Sequence, residues 1–174
     1  VEADTLNQIR AVGRNHRFPQ AEIDRLTDGL LRRDANGNVV GGSREMIALF
    51  SLQYNIGGDI PETITSALRG DRAGVYFEIV YRTNPRNKTT GRRNQRVAAR
   101  RLHEGRFVLP QNWTDEDFKQ FSDRFVAEFD AIEDYESAPE LAPVFSGRLA
   151  NGKPHPHTDL VPARRLDFRE VLNR

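Results

Sequence analysis

Apolar residues in this 174-residue chain recur mostly at three- and four-residue steps, the spacing that gathers them on one face of an α-helix. Ala21, Ile23, Leu26, Leu30 and Leu31 keep this spacing between Pro19 and Arg33, and Pro19 suits a first helical turn. An amphipathic helix is predicted there. Asp34 to Gly42, DANGNVVGG, is turn chemistry. Ser43 then opens a second period through Met46, Ile47, Ala48, Phe50, Leu52 and Tyr54. That segment is apolar on most of its surface, so residues 44 to 56 are expected to form the central and most buried helix, ended by Gly57-Gly58.

Pro61 starts a short helix through Ile64 and Leu68, and Gly70-Asp71 breaks it. AGVYFEIVY, residues 73 to 81, fits a helix or a strand by pattern. Helix is chosen because no second strand-like run lies nearby to pair with it. Thr83 to Thr90 reads as a loop, and Gly91 to His103 as a basic helix with a thin apolar side of Val97, Ala98 and Leu102. Thr114 is placed to cap a long helix carrying Phe118, Phe121, Phe125, Phe129 and Ile132. Beyond Tyr135 the chain turns to Pro, Gly and His. The expected class is all-α: a helical lobe over residues 1–110, and over 111–174 a long helix with a Pro/His-rich tail packed on that lobe.

Composition narrows the chemistry. Lys and Arg number 26 against 25 Asp and Glu, a net charge of +1, so a bulk polyanion-coating role is excluded. The charge is nonetheless segregated. Arg82 to Arg106 is strongly basic, Asp115 to Glu136 strongly acidic, and the two are expected to face each other in part. The basic run lacks aromatic stacking platforms between Tyr81 and Phe107, which argues against a nucleic-acid reader. Without cysteine there is no thiolate metal site or cysteine nucleophile. No apolar run approaches the ~20 residues that span a bilayer, and the first residues lack a signal-peptide pattern.

Two motifs invite a metal. Asp34, Asn36, Asn38 and Glu45 match positions 1, 3, 5 and 12 of an EF-hand calcium loop, but position 6 is Val39 where the turn requires glycine. An ordinary polar loop is expected instead. His155 and His157 stand two apart around Pro156, with no third ligand. No cofactor is expected.

The order of features from Met46 to Gly105 resembles the phage-type lysozymes, the muramidase family of the T-even phage endolysin and pesticin. MIALFSLQYNIGGDIPETITSALRGD is similar to that family's central helix, glycine turn and following helix, with LQYNIG, residues 52 to 57, the best-matching piece. AGVYFEIVYRTN resembles the helix before the substrate cleft, GRRNQRVAARRLHEG the arginine-bearing helix that follows, and FPQAEIDRLTDGLL the start of the segment linking the family's two lobes. The resemblance implies cleavage of the β-1,4 bond between N-acetylmuramic acid and N-acetylglucosamine in peptidoglycan, and action at the bacterial cell wall, in the periplasm or outside. It implies that Tyr54 and Asn55 lie at the cleft end of the central helix, with Asn55 bonding the sugar. It also implies that Glu78, Tyr81 and Arg82 line the same cleft, and that Arg93 is the partner of the catalytic glutamate, Arg100 and Arg101 facing solvent or the acidic helix.

The family's general acid follows the pattern Glu-x8-Asp/Cys-x5-Thr. Nine residues after Glu2, Glu45 and Glu78 stand Ala11, Tyr54 and Asn87; Glu62 reaches Asp71, but Phe77 occupies the threonine position. The resemblance is therefore to the carboxy-terminal lobe, with the acid expected from an upstream or separate amino-terminal lobe, because glycoside hydrolysis needs a group to protonate the leaving oxygen. The other readings are a non-catalytic cell-wall-binding or interaction module, and a basic-faced helical nucleic-acid-binding protein.

Overall fold

The computed structural model describes residues 2–146 and is mostly helical, which makes the chain all-α in class. The order is α1 (Glu2–Asn15), α2 (Gln20–Gly29), β1 (Leu31–Arg33), β2 (Val39–Gly42), α3 (Arg44–Ile56), α4 (Pro61–Leu68) and α5 (Arg72–Phe77). A π-helical turn (Glu78–Arg82) follows, then α6 (Gln95–Gly105), α7 (Asp115–Ala127), α8 (Phe129–Glu136) and α9 (Ala142–Ser146). The expected tail with His155 and His157 lies outside the described residues.

The stops are local chemistry. Ser43 caps α3 by accepting from the Met46 N–H, and Gly57 ends it in the left-handed region at φ 71°. Asn94 caps α6, accepting from Arg96 and Val97 N–H groups. Thr114 and Asp117 form a reciprocal capping box at the start of α7.

Several expectations are corrected. Residues 2 to 15, for which no element was expected, form α1. The helix expected through Arg33 stops at Gly29, and Leu31 to Gly42 is an antiparallel hairpin. Asp34 is the cause: its carboxylate accepts from the N–H groups of Asn36 and Asn38 (2.9 Å each) and from the Asn38 side chain. That Asx turn folds Val39-Val40 back onto Arg32-Arg33, with Val40 bulged out. The long helix expected after Thr114 breaks at Glu128 (φ −110°, ψ 16°), which turns Phe129 to solvent while Phe121 and Ile132 stay buried. The basic helix starts at Gln95, since Asn94 caps it.

The most buried helical segment is residues 72 to 82, not 44 to 56. Ala73 through Phe77 and Ile79 through Tyr81 are all buried, whereas α3 leaves Ile47, Tyr54 and Ile56 exposed. One apolar core runs from Ile9 in α1 through Leu49, Leu52, Tyr76 and Leu102 to Phe121, Tyr135 and Phe145. Residues 111 to 146 thus belong to the same core as the lobe. Helix α6 lies close against the buried segment because Gly105 carries no side chain: a Cβ there would stand 2.7 Å from Val80 Cγ2 and 3.0 Å from Tyr76 Cε2.

Candidate functional site

Helices α3 and α6 bring five polar side chains together. Ser51 and Asn55 are one turn apart on α3, and Arg100, Arg101 and Glu104 share the facing turns of α6. Glu104 and Arg101 are 3% exposed each, a charged pair taken out of water in which Arg101 bonds through Nη1 while its buried Nε has no partner among the described residues. Glu104 Oε2 accepts from Arg101 Nη1 at 2.5 Å. Its Oε1 accepts from the Ser51 hydroxyl at 2.5 Å and from Asn55 Nδ2 at 3.2 Å. Asn55 in turn accepts from Arg100 Nη1 at 2.6 Å.

The outward side of this network is a ledge. Asn55 and Arg100 are exposed, and next to them Tyr54 is 75% exposed. An exposed aromatic ring next in sequence to an amide that is bonded to a guanidinium suits a polar ring compound that carries an anionic group. Both oxygens of Glu104 are occupied by donors from its neighbours.

The six residues expected to line one cleft fall into three places. Tyr54 and Asn55 are on the ledge. Tyr81 and Arg93 pack on α8: the Tyr81 hydroxyl donates to Glu136 at 2.9 Å, and Arg93 Nη2 donates to Asp134 at 2.8 Å while its guanidinium lies 4.8 Å from the Tyr135 ring centre. Arg82 donates to Glu128 at 3.3 Å. Arg93 is therefore a docking residue for the acidic helix, and of the basic helix's arginines it is Arg100 that meets Asn55. Arg101, expected at the surface, is buried. Arg101 bonds Glu104 on its own helix, whereas Glu128 and Asp134 take Arg82, Arg86 and Arg93.

Glu78 occupies the third place. It is half-buried between α4 and α7, and its charged neighbours are Arg82, Glu62, Arg124 and Glu128. Burial pushes its carboxyl above the usual range; Arg82 pulls it back and Glu62 adds to the rise. Asn55 bonds Ser51 within α3 and Glu104 and Arg100 on α6, none of which is among the charged neighbours of Glu78.

The hairpin after α2 does not supply the family's acid. Asp34 is the aspartate on it, Arg25 stands nine residues before and Val40 six after. Nor does the Asp34 to Glu45 stretch close on an ion: Asp34 is committed to its turn, Val39 lies in β2, and Glu45 pairs with Arg72 at 3.5 Å. Among the described residues no group of three or more His, Asp or Glu side chains could hold a metal, and no helix is long and apolar enough to cross a membrane. The sequence signal for the buried Arg101–Glu104 pair was its i, i+3 spacing, indistinguishable from the other pairs of a charged helix.

Comparison with protein-family models, curated proteins and solved structures gives no match.

Proposed function

We propose that this chain is the glycan-binding lobe of a peptidoglycan muramidase of the phage-lysozyme type, its general acid supplied by a separate or upstream lobe. The observation that carries the reading is the ledge of Tyr54, Asn55 and Arg100, held rigid from below by Ser51, Glu104 and Arg101. Tyr54 offers a face for a sugar ring, Asn55 an amide for its acetamido or hydroxyl groups, and Arg100 a cation for the lactyl carboxylate. The role that the family resemblance gives to Arg93 passes in this reading to Arg100, the arginine bonded to Asn55. Hydrolysis then requires a carboxylic acid brought to the glycosidic oxygen from outside the described residues.

The test is co-sedimentation of the full chain with purified peptidoglycan sacculi. Wild-type protein should bind without clearing the suspension. Arg100→Ala and Tyr54→Ala should each weaken binding about tenfold, the size of one charge-assisted hydrogen bond or one stacked ring, and Arg93→Gln should bind as wild type. Clearing by the chain alone would place the acid within it, with Glu78 the first residue to replace. Absence of binding, or binding indifferent to Arg100 and Tyr54, would discard the reading.

A further inference from the structure

At the opposite end of α1, the chain turns into α2 around an open cleft of about 610 Å³ lined by Arg17, Arg25, Arg69, His16 and Glu22, with Leu68 behind them. Three arginines, from the α1–α2 turn, from α2 and from just past the end of α4, line this cleft with a single carboxylate, Glu22. Arg25 donates to the Leu68 carbonyl at 3.1 Å, while among the described residues the side chains of Arg17 and Arg69 have no hydrogen-bond or ion-pair partner.

Arg17 carries a second signal in its backbone. The Phe18 N–H donates to the Gly13 carbonyl at 2.9 Å and the Arg17 N–H to the Arg14 carbonyl at 3.1 Å, the bond pair that closes a helix with its next residue left-handed. That residue is ordinarily glycine, which adopts the conformation without steric cost. Here it is Arg17, at φ 59°, the one non-glycine with positive φ among the described residues. A cation near a helix end offsets the helix dipole, but Arg14 already does so in the last turn of α1. The dipole therefore leaves an arginine at the glycine position unexplained.

We infer that the cleft between Arg17, Arg25 and Arg69 binds a ligand bearing closely spaced phosphate groups. The cleft is wider than one carboxylate needs, and spread guanidinium groups match the several oxygens of linked phosphates by paired N–H donors. The shared chemistry could come from a free diphosphate or from a phosphate polymer, and the two are separable by probe. The inference does not rest on the muramidase reading, since the cleft shares no residue with the ledge.

The experiment is calorimetric titration of the full chain at low ionic strength with inorganic pyrophosphate and with short-chain polyphosphate, with acetate as the comparison anion. Wild-type protein should bind a phosphate probe and not acetate, with affinity falling as salt is added. Binding of pyrophosphate points to a free ligand, binding of polyphosphate alone to a polymer. Arg69→Gln should weaken binding about tenfold. Arg17→Gly should do the same while leaving the melting temperature equal or higher, because glycine relieves the left-handed strain. An Arg10→Gln control, on α1 but off the cleft, should bind as wild type. No binding of either probe, or binding unchanged in both cleft variants, would overturn the proposal.

Discussion

At the scale of single residues, Glu104 and Arg101 are costly to break one at a time. The carboxylate and the guanidinium are each 3% exposed and bond to each other, Glu104 also accepting from Ser51 and Asn55. Glu104→Ala leaves the Arg101 guanidinium buried without its counter-charge, and should cost about 3–5 kcal/mol in urea denaturation. Removing both charges together, as Arg101→Met with Glu104→Leu, should cost clearly less than the two single changes summed. A single-variant loss under about 1 kcal/mol would mean that water reaches the pair. The same logic distinguishes the neighbouring residues: Asn55 and Arg100 use the buried pair as a foundation, so their variants should change binding more than folding.

Among elements, the contact of α6 with the π-helical turn decides whether the ledge has a platform. Gly105 admits that contact, and Gly105→Ala would drive a methyl to 2.7 Å from Val80 Cγ2. Overpacking of this kind costs about 1–3 kcal/mol. Thermal denaturation of the variant checks it, and a melting temperature equal to wild type would show that α6 can slide without loss. The elements themselves were only partly legible in the sequence. Periodicity locates α2, α3, α4 and α7, α5 follows only from the want of a strand to pair with it, and the caps Ser43 and Thr114 set the starts of α3 and α7, because capping is a local interaction between adjacent residues. The hairpin was missed because its signal is one Asp34 carboxylate gathering N–H groups, while Leu30 and Leu31 continued a helical pattern. Burial was misjudged for α3 because apolar content does not say which neighbours arrive. The space beside Tyr54 and Ile56 was left open, and α6 and α7 closed over residues 72 to 82. Of the proposed ledge the sequence singles out Tyr54 and Asn55 but not Arg100, since which arginine meets Asn55 is set by how α6 packs on α3.

For the whole molecule, the meeting of basic and acidic halves sets how the last helices are held. Arg86 and Arg93 both donate to Asp134, at 2.9 and 2.8 Å, and the Arg93 N–H donates to Glu140 at 2.8 Å. The Arg93 hydrogen bonds hold the carboxyls of Asp134 and Glu140 below their usual range. A carboxylate with a lowered folded pKa contributes stability that is complete above its ordinary value and is lost as pH falls through the lowered one. These two pairs should thus hold α8 unchanged from neutral pH down to the ordinary carboxylate range, 3.8 for Asp134 and 4.5 for Glu140, and release it only below. The apolar side of α8, Ile132 and Tyr135, is in the shared core, so release loosens the packing of Tyr81 and Tyr135 before the helices of the lobe unfold. Near-ultraviolet circular dichroism from those rings should fall below about pH 4 while the far-ultraviolet helical signal persists. Arg93→Ala removes the guanidinium from Asp134 and from the Tyr135 ring while keeping the backbone N–H that Glu140 uses, and should weaken the same ring signal at neutral pH, with sacculus binding by the ledge retained. A ring signal that persists through the acid range, or one untouched by Arg93→Ala, would show that apolar packing alone docks the acidic helix.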